Sequence, residues 1–193
     1  MTTKQRKPGI GRLQLLSIAA VFIVPLALAA WLYYSGTSLV PDSGTNNGAL
    51  LLPIVSLQDE MPVSKLHDIQ SNQWLMLYPN AATCDSECGE ALIRLRQSRL
   101  MLGKDMRRVS RVLLHGDSAP DTVDIDEQHA GLITISDKGL IRLLEQKRPK
   151  ELRPGGCYLI DPLGNLVMYF PPDLDPKEMV GDIKHLLKLS HIG

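Results

Sequence analysis

The sequence predicts an α/β fold behind a single N-terminal membrane-spanning helix, and three observations carry that prediction. An uncharged apolar run fills Leu13 to Tyr34. An apolar strand, a helix and a second strand follow one another between residues 74 and 115. A hairpin and an amphipathic helix then close the chain.

The apolar run reaches the roughly 20 residues that cross a bilayer as a helix. Trp31, Tyr33 and Tyr34 sit at its far end, as in an interfacial aromatic belt, and Pro25 is expected to kink it without ending it. Lys4, Arg6, Lys7 and Arg12 precede it with no acid among them, which places residues 1–12 in the cytoplasm as a basic tail, 13–34 in the membrane and the rest outside. A cleaved signal peptide is the competing reading, because Ala27-Leu28-Ala29 resembles a cleavage site; the run is longer than a signal h-region of about 7–15 residues. Both readings export the domain. In a bacterium that means the inner membrane and the oxidising periplasm, where a cysteine pair can hold a disulfide.

The whole chain carries 21 basic and 21 acidic residues; without the four N-terminal cations the remainder is mildly acidic. No nucleic-acid-binding footprint is present. Residues 35–49 are rich in Gly, Ser, Thr and Asn and read as a flexible tether. Residues 50–193 then suffice for one globular domain with its own core.

Within that domain, residues 62–69 read as a short edge element. Trp74-Leu75-Met76-Leu77-Tyr78 reads as a buried strand stopped by Pro79-Asn80. Next comes a helix in which Ala91, Leu92, Leu95, Ser98, Arg99 and Leu102 recur at helical spacing; Leu92, Leu95 and Leu102 form the core-facing stripe with Cys88 on it, Arg94 and Arg96 point away, and Gly103 is the C-cap. Residues 108–115 form the second strand, completing a right-handed crossover, and the acidic turn Asp117, Asp121, Thr122 follows. Residues 132–135 form a weaker strand and 138–146 a short helix. Cys157-Tyr158-Leu159-Ile160-Asp161 and residues 166–170 flank Pro162-Leu163-Gly164-Asn165, a hairpin. The last helix starts at Asp175-Pro176 and buries Met179, Ile183, Leu186 and Leu187. This order is the thioredoxin-like arrangement.

The chemistry points to Cys84 and Cys88. Four apart at the start of a helix, their sulfurs can meet as a disulfide or clasp one metal ion. Cys84 falls at the helix N-terminus, where free N–H groups favour a thiolate, while Asp85, Glu87 and Glu90 oppose it. Cys88 is expected to be the more buried. No Ser/His/Asp set, zinc-type spacing or phosphate-binding glycine loop occurs, so hydrolase and kinase chemistry have no support.

The anchor, the Cys84-x-x-x-Cys88 pair at a strand-to-helix junction, the acidic turn and Tyr158-Leu159-Ile160-Asp161-Pro162-x-Gly164 together resemble the Sco/SenC family. The resemblance implies a membrane-anchored thioredoxin-fold protein that assists assembly of the copper centre of cytochrome c oxidase, with an oxidase subunit or another assembly factor as partner. It implies Cu(I) handling, or reduction of target cysteines, through Cys84 and Cys88. The family's copper-binding histidine lies eight residues before the signature aspartate, and here that position is Arg153. A guanidinium does not ligate copper, so the resemblance is to a divergent branch in which two thiolates suit Cu(I).

Two other readings remain: a general thiol–disulfide oxidoreductase and a non-catalytic scaffold. Against the former, the proline that usually faces such sites, six before Asp161, is Gly155. Cys157 is either a third sulfur or a buried core residue. His115 and His129 lack ligand spacing to the cysteines, and Trp74, Tyr78, Met76, Met101 and Met106 read as packing. The run Arg94, Arg96, Arg99, Lys104, Arg107, Arg108, Arg111 reads as a solvated basic face toward a membrane surface or an acidic partner.

Overall fold

A computed structural model describes residues 10–34, 46–69, 72–116 and 129–190. The basic tail up to residue 9, the tether up to residue 45 and the acidic turn at Asp117, Asp121 and Thr122 lie outside the described residues.

The chain forms two units. The first contains α1, Ile10–Tyr34, of which Gln14–Leu32 is uncharged and long enough to cross a membrane. The second is a mixed six-stranded sheet in the order β1-β6-β5-β2-β3-β4, with helices on both faces. Its strands are β1 (Ala49–Ser56), β2 (Trp74–Asn80), β3 (Val109–His115), β4 (Leu132–Ser136), β5 (Cys157–Ile160) and β6 (Asn165–Phe170). Its helices are α2 (Leu57–Glu60), α3 (Leu66–Ile69), α4 (Ser86–Met101), α5 (Lys138–Lys147) and α6 (Pro176–Leu189), with a 3-10 turn at Gly103–Arg108.

Side-chain alternation divides the core into two layers. Met76, Tyr78, Val109, Leu113, Cys157, Leu159, Met168 and Phe170 meet α4 and α6 through Leu92, Leu95 and Ile183. Leu75, Leu77, Val112, Leu114, Tyr158 and Leu166 meet α2, α3 and α5 through Leu57, Leu66, Leu140 and Leu144. The helices are capped as their sequences dictate. Asp85, Asp137 and Asp175 accept from the backbone N–H groups of Cys88, Leu140 and Lys177.

Three sequence expectations are corrected. The edge strand is β1, not residues 62–69, where the structure has a loop and the single turn α3. Its entry is fixed by buried Asp182 of α6, which accepts from Asn47 N (2.9 Å), Asn47 Nδ2 (3.1 Å) and Gly48 N (2.8 Å). Next, β2 runs through Pro79 and Asn80 in parallel register with Leu114 and His115. Proline is tolerated there because antiparallel pairing with β5 ends at Leu77, so no donor is required on that side.

Finally, the basic run is not one solvated face. Arg99 Nε donates to Val109 O (2.6 Å), Arg108 donates to the Leu187 and Ser190 carbonyls, and Arg111 is buried and donates to Ala130 O. Backbone carbonyls receive these three guanidinium groups, while Arg96, Lys104 and Arg107 are exposed.

Candidate functional site

The parallel strands β2, β3 and β4 end together at Asn80, His115 and Ser136, and the cysteine loop 81–85 rises from that edge. Gly116 lies against it so closely that a Cβ there would stand 2.8 Å from Ala81 O. Cys84 and Cys88 form a disulfide with Cα atoms 5.1 Å apart. Cys88 is buried in the inward stripe of α4; Cys84 is partly exposed.

The helix starts two residues later than the sequence implies. Cys84 precedes the N-cap Asp85, whose carboxylate takes the Cys88 N–H at 3.0 Å. A donor that would have favoured a Cys84 thiolate therefore faces a carboxylate instead.

A cleft borders the first two turns of α4, lined by Tyr78, Glu87, Glu90, Arg94, Arg153 and Gly155. Arg94 does not point away. Its guanidinium donates to Pro172 O across this cleft. A helical wheel places its Cα outward, but a long side chain can lie along the surface and carry its head over the site. The far wall, residues 153–156, hangs on Tyr169, whose hydroxyl donates to Arg153 O and accepts from Gly156 N (3.0 Å). Gly156 is obligatory there, since a Cβ would fall 2.1 Å from Phe170 O. Arg153 itself is exposed, with Asp173 at 3.9 Å.

Burial raises the Tyr78 phenol, with Asp85 adding to the effect and Arg94 opposing it. Cys157 lies in the apolar core, where burial pushes its thiol up to about 12. His115 ends β3 beside Asn80, and its Nδ1 donates to Gly116 O (2.8 Å). His129 is buried at the opposite end of the sheet. Met76 is core. No group of three or more His, Cys, Asp or Glu suited to a metal occurs among the described residues. The two cysteines, once reduced, offer a pair of soft ligands that fits Cu(I).

The family model "Transmembrane-like, thioredoxin-like, C-terminal domain" matches residues 74–190, and its companion "Transmembrane-like, N-terminal domain" matches residues 5–36. The chain belongs to this transmembrane-like, thioredoxin-like family. No curated protein matches it. Among solved structures, Arabidopsis thaliana ScoI with copper bound is similar at 17% identity and a TM-score of 0.50, over 64% of this chain and 89% of that one. Yeast Sco1 is similar at 15% identity and 0.50, over 64% and 84%. These likenesses establish the thioredoxin-like fold of the transmembrane-like chain.

Proposed function

We propose that this chain is a membrane-anchored, Sco-like thiol–disulfide protein that assists cytochrome c oxidase assembly by keeping target cysteines reduced through Cys84 and Cys88. The observation that carries this reading is the Cys84–Cys88 pair at the start of α4, Cys84 partly exposed and Cys88 buried. In the reduced pair, the Cys84 thiolate attacks a sulfur of a target disulfide and expels the other target thiolate. Cys88 then attacks Cys84, the second target thiolate leaves, and two electrons have passed from the pair to the target. A dithiol donor on the same side of the membrane must reduce the pair again. The charge pattern around α1 supports an inner-membrane anchor with the domain in the periplasm.

The test is trapping. In the full chain, Cys88→Ser is expected to accumulate a mixed disulfide with a disulfide-containing peptide substrate, and Cys84→Ser to accumulate none. A Cys84→Ser/Cys88→Ser double variant that supports oxidase assembly as well as wild type would overturn the reading in favour of a scaffold.

A second reading is that the same two thiolates carry Cu(I) as cargo. It draws on the copper-bound ScoI of the same fold and on the softness of the donor pair. Competitive Cu(I) titration of the reduced full chain against the double variant decides it: one-to-one binding by the wild type alone supports copper handling, and equal weak binding by both excludes it.

A further inference from the structure

The pole of the domain away from the cysteines carries an exposed surface that is both apolar and basic. Along α4, Leu92 and Leu95 face the sheet, and the last turn presents Leu100, 56% exposed, and Met101, 37% exposed. The 3-10 turn that follows adds exposed Lys104 and Arg107; its carboxylate, Asp105, is half-buried. Beside α4, on the same face of the sheet, α6 turns Met179, Ile183 and Leu187 inward. It leaves Lys184, Lys188 and Leu189 exposed, the last at 66%.

Arg108, at the end of the 3-10 turn, donates to Leu187 O and Ser190 O, both at 2.9 Å. These bonds hold the last turn of α6 against the 3-10 turn, so the cations and apolar side chains of both helices share one pole. A single exposed leucine is ordinary on a protein surface. Three apolar side chains set among lysine and arginine have the composition of an interfacial lipid-binding surface, whose apolar tips enter the headgroup boundary while its cations meet lipid phosphates.

Two facts about the chain favour lipid over another occupant. Only eleven residues, 35–45, separate the described end of α1 from the domain, a fully extended span of about 40 Å, roughly the width of a domain of this size. The chain also enters the domain on α6 itself, where Asn47 N and Gly48 N donate to Asp182, two residues before Lys184. A surface tethered this closely needs only weak attraction to stay docked, because the local concentration of lipid is already high.

We propose that this pole docks on an anionic lipid bilayer, with Leu100, Met101 and Leu189 in the headgroup boundary and Lys104, Arg107, Lys184 and Lys188 against lipid phosphates. The inference rests on the anchoring part of the function proposed above and not on its thiol chemistry. Cys84 and Cys88 lie at the opposite end of α4, so docking leaves them facing away from lipid and free to meet a target.

Lysine acetylation of the full chain, reconstituted in lipid nanodiscs and read peptide by peptide by mass spectrometry, tests it. Discs of phosphatidylcholine alone are compared with discs that also contain phosphatidylglycerol. Lys104, Lys184 and Lys188 are expected to react about fivefold more slowly in the anionic discs, while Lys65 and Lys150, exposed elsewhere on the domain, do not change. High salt restores the rate. Lys184→Glu/Lys188→Glu is expected to release Lys104, and Lys104→Glu/Arg107→Glu to release Lys184 and Lys188; all four positions are exposed, and either variant suffices if the other does not fold. Lysines that stay reactive in anionic discs overturn the proposal and leave the face to an acidic protein. Protection that persists in uncharged detergent overturns it in favour of a second copy of the chain. A chain that does not enter the discs overturns the anchoring reading as well, whereas an inserted chain with reactive lysines overturns the docking alone.

Discussion

The Cys157 thiol, under α4 in the apolar layer, ionises only at about 12, whereas the same group in an unfolded chain ionises near 8.5–9. The native state therefore keeps a proton that the unfolded state loses, and stability falls as pH rises from about 9 to about 12, by at most about 4 kcal/mol from this group. The raised phenols of Tyr78, Tyr158 and Tyr169 act in the same direction at higher pH. Urea midpoints measured across that range are expected to drop less steeply in Cys157→Ala than in wild type. Asp85 offers a second residue-scale prediction. Asp85→Asn keeps an acceptor for the Cys88 N–H but removes the anion beside the pair, so Cys84 in the reduced chain should be alkylated faster than wild type at pH 7. The Cys84–Cys88 pairing was legible because four-residue spacing fixes it locally. Arg94 was not, because its role depends on where a long side chain lays its head.

At the scale of elements, Asp182 joins the first strand to the last helix through three hydrogen bonds. Asp182→Ala leaves the Asn47 and Gly48 N–H groups without their acceptor and is expected to destabilise the domain by about 2–3 kcal/mol. Hydrogen exchange should show the loss first at residues 49–51, with β2 and β3 still protected. The crossover, the hairpin and the last helix were legible because each has its own period, cap or turn. β1 was not: Ala49-Leu50-Leu51-Leu52-Pro53-Ile54-Val55-Ser56 has no alternation, and only its pairing with β6 reveals it. The same holds for the arginines of the basic run, whose carbonyl partners at Val109, Ala130 and Leu187 are set by tertiary packing.

For the whole molecule, both redox states must be folded if the pair is to cycle. The disulfide closes a loop across a sequence separation of only 4, so its chain-entropy contribution is about 2 kcal/mol, against about 4.7 for a 100-residue loop. Denaturant unfolding of the reduced chain is expected to remain cooperative and to lose roughly that amount; a reduced chain that loses its tertiary circular dichroism would argue against a cycling pair. The apolar N-terminal helix was legible from composition alone, since an uncharged run of that length fits a membrane-spanning helix. The clamp at Asn47 and Gly48 also has a mechanical consequence. A pull transmitted along the polypeptide from the lipid side enters the domain at these two residues and is taken up by a carboxylate on α6 before it can peel β1 from β6. Load is thus diverted into the closing helix, and the cysteine loop, which leaves β2 three strands away from that edge, is left unstrained while its carrier is tugged by a moving bilayer.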